Sequence, residues 1–129
     1  MNIGKLLGFL AALAYFGSLM NLVTKRLNQY LVRRKSKIKL DKRLIQLFVR
    51  YHRFWGIAAA GFVLLHFVVQ YTRYGFISRT GMTAALLMLL QASLGCFGQY
   101  IQKKRPGLWL NVHRLVAIAL LIAIGFHVA

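Results

Sequence analysis

The chain has 129 residues, of which 59% are hydrophobic, and it carries 18 Lys and Arg residues against a single acid, for a net charge of +17. So large an apolar fraction in so short a chain excludes an ordinary soluble domain and indicates one small integral membrane unit. The cations lie between apolar runs, which is typical of loops beside anionic lipid headgroups and argues against nucleic acid as a partner.

The first apolar run, residues 3–23, is long enough to cross a bilayer as a helix. Lys5 before this run is also compatible with a secretory signal peptide, but no small-residue cleavage site follows, and we expect a retained helix. The chain then becomes strongly basic. We expect a cytoplasmic loop over residues 24–41, with Asp41 as the N-cap of the second helix. This loop is either simply solvated beside the lipid or a site for a cytosolic partner.

Three further helices are predicted, over residues 42–71, 82–101 and 108–129. Pro106 and Gly107 break the helical pattern before the last of them. The first and third connections carry most of the cations, so the positive-inside rule places them in the cytoplasm and both termini outside. The sequence therefore predicts an all-α integral membrane protein, a four-helix transmembrane bundle that crosses the cell (cytoplasmic) membrane several times.

The four histidines of the chain form two pairs of equal spacing, His52 with His66 on the second helix and His113 with His127 on the fourth. Fourteen residues of helix rise about 21 Å and return to within roughly 40° of the starting direction. Each pair therefore lies on one helix face, near opposite sides of the membrane. Because one span separates the two helices, they run in the same direction. We expect His52 to face His113 near the cytoplasm and His66 to face His127 near the outside.

Two imidazoles at one depth suit the iron of a haem better than a metal held by protein alone. A single histidine in an apolar helix is usually hydrogen-bonded to a neighbouring carbonyl. Here the joint pattern of the four histidines favours a role as metal ligands. Zinc or copper would need Cys, Asp or Glu ligands that neither depth supplies nearby, and a proton relay would need carboxylates. A porphyrin supplies four nitrogens, so its iron needs only two axial ligands. We predict two haem b groups stacked between the second and fourth helices.

Two arginines follow the inner histidines directly, Arg53 after His52 and Arg114 after His113. A guanidinium group can pair with a haem propionate, and pairing with lipid phosphates is an equally open role. Several glycines offer either space for a flat macrocycle or close helix packing: Gly56, Gly61, Gly95, Gly98 and Gly125.

Three stretches, HRFWGIAAAGFVLLH, TGMTAALLMLLQASLG and WLNVHRLVAIALLIAIGFH, resemble the ferric reductase-like transmembrane domain of ferric reductases, NADPH oxidases and the haem-binding subunit of methionine sulfoxide reductase. The resemblance covers residues 51–129, and its specific part is the two H-R-x12-H segments separated by one helix. It implies that His52, His66, His113 and His127 are haem ligands. It also implies electron flow from a cytoplasmic flavin or a quinone to an acceptor outside. The sequence contains no G-x-G-x-x-G stretch, so we expect a donor outside this chain.

The predicted function is a dihaem b-type cytochrome that transfers electrons across the membrane. It would act as an electron-transfer subunit of a larger hetero-oligomeric oxidoreductase, with redox partner proteins on one or both faces and a quinone as a further candidate partner. No catalytic residue and no flavin or NAD(P)H domain is expected in this chain. Two alternatives stay open. One is a haem-free membrane scaffold or assembly subunit that recruits a cytosolic partner through the basic loop, and the other is direct reduction of an external metal or quinone.

Overall fold

The computed structural model describes residues 2–129, and the elements in this part of the chain are all helical. The α-helices are α1 (Ile3–Arg33), α2 (Lys42–Ile45), α3 (His52–Tyr74), α4 (Arg79–Cys96) and α5 (Leu108–Val128). Two π-helical turns complete the fold, one over Gln46–Arg50 between α2 and α3 and one over Phe97–Ile101 at the end of α4. Four helices are long and apolar enough to cross a membrane, namely α1, α3, α4 with its π-helical turn, and α5. The predicted all-α, multi-pass membrane architecture is confirmed.

The first helix is longer than the sequence predicts, because α1 continues ten residues past Val23 to Arg33. Residues 24–33 contain no Gly or Pro and are rich in side chains that favour helix, such as Lys, Arg, Leu and Gln. The helix ends only where Lys35 takes a positive φ of 48°. The prediction of a loop over residues 24–41 is therefore wrong for its first ten residues, and the connection covers residues 34–41.

Local capping explains the other helix boundaries. The carboxylate of Asp41 accepts a hydrogen bond from the Arg43 backbone N–H at 2.9 Å, as predicted for an N-cap. The third predicted span begins at Arg79 and not at residue 82, because the Ser78 hydroxyl caps it by accepting from the Gly81 N–H at 3.1 Å. The second span ends at Tyr74, three residues later than predicted, where Gly75 takes the left-handed conformation that commonly follows a helix.

The helices pack as two antiparallel pairs, α1 along α3 and α4 along α5, and α3 also contacts α4. Among residues 2–129, the two histidine-bearing helices α3 and α5 are not one of the closely packed pairs. One apolar cluster at mid-depth, formed by Ala14, Tyr15, Ala59, Met88 and Leu120, joins all four spans. Tyr15 also ties α1 to α5, because its hydroxyl donates a hydrogen bond to the carbonyl of Ala117. These contacts hold the two helix pairs together at the centre of the bundle.

Large apolar side chains cover the outside of the bundle. Phe9, Phe54, Leu115 and Phe126 are each more than half exposed, and they lie on four different turns of three spans. Water would oppose such a surface, whereas the hydrocarbon of a bilayer covers it without cost. The outer surface is therefore consistent with a protein surrounded by lipid.

Candidate functional site

The structure brings the four histidines together in the two predicted pairs. The ring centroids of His52 and His113 are 6.4 Å apart, and the ring planes are nearly perpendicular at 86°. The centroids of His66 and His127 are 6.3 Å apart, with 75° between the planes. The two pairs thus repeat one arrangement at two depths, because α3 and α5 run in the same direction and carry the same spacing.

Helix α1 holds the two histidines of α3 through hydrogen bonds to its backbone carbonyls. The Nδ1 atom of His52 lies 3.0 Å from the Ser18 carbonyl oxygen, and Nδ1 of His66 lies 2.7 Å from the Gly4 carbonyl oxygen. A carbonyl oxygen can only accept, so in the neutral imidazole each Nδ1 carries the proton and donates. Each Nε2 then keeps its lone pair, which is the tautomer that a metal-binding histidine uses.

Helix α4 supports the two histidines of α5, but the two contacts differ. Nδ1 of His127 lies 3.3 Å from the Thr80 hydroxyl oxygen, so this ring is held by the same atom as the rings of α3. His113 is held by its other nitrogen, since Nε2 lies 3.2 Å from the side-chain nitrogen of Gln91. In the described part of the chain, Nδ1 of His113 and Oε1 of Gln91 are buried without a partner.

Glycines let the supporting helices approach three of the four rings. A Cβ atom placed on Gly8 would lie 3.1 Å from Cε1 of His66, and one on Gly81 would lie 3.0 Å from Cε1 of His127. At Gly95 the corresponding distance, to Cε1 of His113, is 3.7 Å. Any larger side chain at the first two positions would displace the imidazole or the helix.

Gly95 was singled out from the sequence, and the residue spacing also carries a signal for other supporting residues. Gly4 and Ser18, which hold the histidines of α3, are themselves fourteen residues apart, and so are Gly81 and Gly95. Antiparallel helices of equal pitch bring equal spacings into contact, so a repeat of fourteen in α1 and in α4 matches the histidine spacing. Recognising it requires knowledge of which helices pack together.

The remaining glycines singled out from the sequence fall into two groups. The space beside Gly98 is occupied, because the Trp109 indole packs directly against this glycine. Gly56, Gly61 and Gly125 are open, because a Cβ atom built there would meet nothing within 4 Å. Gly56 lies one turn beyond His52 and is rotated from it by only about 40°. It is therefore the open glycine on the histidine face of α3.

Two tryptophans and two π-helical turns form the end of the bundle beside the His52–His113 pair. Trp55 packs on Gly17, and its indole N–H donates to the carbonyl of Leu47 in the first π-helical turn at 3.0 Å. Trp109 packs on Gly98 in the second turn. Single π-helical turns occur frequently at functional sites. These two turns were not predicted from the sequence.

Arg53 and Arg114 are exposed at the same end of the bundle. Each directly follows a histidine in a helix, so its side chain leaves the backbone about 100° away from the imidazole. The guanidinium group of Arg53 lies over the neighbouring Phe54 ring, 5.2 Å from its centroid. Their roles as propionate partners stay predictions.

Within residues 2–129, no three His, Cys, Asp or Glu side chains come together as a group that could hold a metal ion. A zinc site held by protein alone needs three or four such ligands, whereas porphyrin iron needs two. Comparisons with protein-family models, curated proteins and solved structures found no match to this chain. Its functional assignment rests on the geometry and chemistry of the two histidine pairs.

Proposed function

We propose that the chain is a dihaem b-type cytochrome that carries electrons across the membrane between a donor on the cytoplasmic side and an acceptor outside. The separation of the paired rings is the observation that carries the proposal. An iron atom bound at about 2 Å by each of two imidazole nitrogens, with each ring centre about 1.2 Å further away, would separate the centroids by about 6.4 Å. The two pairs are separated by 6.4 and 6.3 Å.

The hydrogen bonds of three of the four rings also fit haem iron. His52, His66 and His127 each engage a neighbouring helix through Nδ1, which leaves Nε2 as the available ligand atom. His52 and His113 would hold the inner haem iron, and His66 and His127 the outer one.

Haem iron supplies one-electron chemistry at each level when bound, and the protein supplies position and exclusion of other reactions. Because two imidazoles would hold the iron at each level, no position would remain open for oxygen. The apolar cluster around Ala59 and Leu120 lies between the two levels. Such closed sites suit electron transfer and not ligand chemistry.

The proposal includes an orientation and partners. The cation-rich connections, residues 34–41 and 102–107, would face the cytoplasm, with both termini outside. The two H-R-x12-H segments resemble those of ferric reductase-like transmembrane domains. This resemblance supports the proposed histidine ligands and electron flow from the cytoplasmic side to the outside. Donor and acceptor would be a quinone or separate proteins of a hetero-oligomeric oxidoreductase.

Haem content of the purified full-length chain tests this function. Expression with ample haem should give red membranes, b-type reduced-minus-oxidised bands and two haems per chain in a pyridine haemochrome assay. The matched control replaces all four histidines by alanine and should be colourless. A folded, colourless wild-type protein would reject the proposal and favour the haem-free scaffold. Pigment retained by the control would show that the histidines are not the ligands.

A further inference from the structure

Three buried side-chain atoms lack a hydrogen-bond partner within residues 2–129, and all three lie near the inner histidine level. They are Oδ1 of Asn21, Oε1 of Gln91 and Nδ1 of His113. Asn21 follows by three residues the serine that holds His52, which places it one turn nearer the cytoplasmic end of α1. Buried polar groups in folded proteins are almost always paired, so this concentration at one level requires an explanation.

Two of these atoms belong to side chains that already touch. The side-chain nitrogen of Gln91 lies 3.2 Å from Nε2 of His113 and can donate to it. This contact occupies the nitrogen that an iron ligand needs. It also leaves a donor, Nδ1–H of His113, and an acceptor, Oε1 of Gln91, both unpaired.

One rearrangement pairs both atoms. A half-turn of the His113 ring about its Cβ–Cγ bond exchanges Nδ1 with Cδ2 and Nε2 with Cε1. Nε2 would then leave the amide of Gln91, and Nδ1 would take the place of Cδ2, the ring neighbour of the atom that Gln91 contacts. If the Gln91 side chain also turned so that its oxygen followed Nδ1, Nδ1–H would donate to Oε1. His113 would then be held by Nδ1, as the other three histidines are, and Nε2 would no longer be bonded to Gln91.

We propose that Gln91 is a positioning residue of the inner haem site, whose amide oxygen would accept from Nδ1–H of His113 when Nε2 binds iron. The inference rests on the proposed function, because it assigns an inner haem to His52 and His113. An acceptor on Nδ1 fixes the tautomer of a metal-bound histidine and raises the basicity of the ligand. A more basic ligand favours oxidised iron. Gln91 therefore lowers the reduction potential of the inner haem.

Redox titration of the full-length, pigmented protein tests this role, with the inner couple identified by its loss in His52→Ala. Gln91→Leu removes the acceptor and should shift the inner couple to higher potential while the outer couple stays unchanged. It should also weaken inner haem binding about 10- to 100-fold, the range for partners of metal-bound histidines. Gln91→Glu supplies a stronger acceptor and should shift the inner couple to lower potential.

Ser93→Ala is the matched control, because Ser93 is exposed and lies on the same helix as Gln91. Within residues 2–129 its hydroxyl donates only to the carbonyl of Leu89, one turn earlier on that helix. This variant should leave both couples unchanged. If Gln91→Leu does not fold, the downward shift in Gln91→Glu carries the test. An inner couple that does not move in the folded Gln91 variants would overturn the proposal and leave Gln91 a packing residue. A wild-type protein without pigment would instead reject the proposed function itself.

Discussion

Ala59 of α3 and Leu120 of α5 each lie seven residues from both histidines of their helix, and they are the least exposed side chains of the apolar core, at 1% and 0%. Seven residues of helix return to within about 20° of the starting direction, so both side chains lie on the histidine face of their helix, at mid-depth. They belong to one cluster with Tyr15 and Met88. The packed core of the bundle is therefore the layer between the two histidine levels.

Truncation of Leu120 should destabilise the bundle strongly, because its side chain is fully buried in the apolar cluster and its removal leaves a cavity. We expect Leu120→Ala to cost about 2–5 kcal/mol of unfolding free energy, the range for buried leucines. The measurement is denaturant unfolding of the full chain in detergent. Leu115→Ala on the same helix is the matched control, since Leu115 is 67% exposed, and it should cost much less. Equal losses in the two variants would contradict the assignment of Leu120 to the core.

The pairing of the histidines could be predicted from the sequence because it depends only on helix periodicity and on the direction of successive spans. Equal spacing on two helices that run the same way brings His52 to the depth of His113 whatever the details of packing. The length of α1 could not be predicted in this way. Hydropathy reports how much chain is apolar enough for lipid, and the helix continues through a cationic segment that hydropathy reads as a loop.

The contacts behind the histidines could not be predicted either, for a different physical reason. Ser18 holds His52 and Thr80 contacts His127 only because α1 lies along α3 and α4 lies along α5. Sequence spacing fixes the face of one helix but leaves open which neighbour covers it. The same limit applies to Gln91, which could be read from the sequence only as a polar residue at membrane depth.

The same-level pairing predicts different outcomes for two kinds of double variant. His52→Ala with His113→Ala removes both proposed ligands of the inner site and should leave one haem per chain. His52→Ala with His127→Ala removes one proposed ligand from each site and should leave none tightly bound. Both variants lose two histidines, so each serves as the control for the other, and the pyridine haemochrome assay counts the haems. One haem in the crossed variant and none in the same-level variant would contradict the pairing.

The open space at Gly56 predicts a site-specific block of the inner haem. Gly56 lies on the histidine face one turn beyond His52, where an added Cβ atom meets no protein atom within 4 Å. We expect a leucine there to extend into the volume that we assign to the macrocycle. We expect Gly56→Leu to lower the haem content from two to one per chain, with its helical circular dichroism unchanged.

Gly61→Leu is the matched control for this block. Gly61 is also open, but it lies nine residues from His52 and so on the opposite face of α3. It should keep two haems. Two haems in a folded Gly56→Leu protein would contradict the placement of the inner haem on this face, and equal loss in both variants would indicate a general effect of leucine in α3.

The proposed orientation can be tested by labelling single cysteines, because Cys96 is the only native one. On a Cys96→Ser background, Phe76→Cys lies in the connection between α3 and α4, and Lys37→Cys lies in the cation-rich connection after α1; both positions are exposed. The positive-inside rule places residue 37 in the cytoplasm. A membrane-impermeant maleimide added to intact spheroplasts should therefore label Phe76→Cys at once and Lys37→Cys only after permeabilisation. The Cys96→Ser parent gives the background signal. Because the inner histidine pair lies at the same end as residue 37, the reverse labelling pattern would also place the His52–His113 pair, with Gln91, on the outer side.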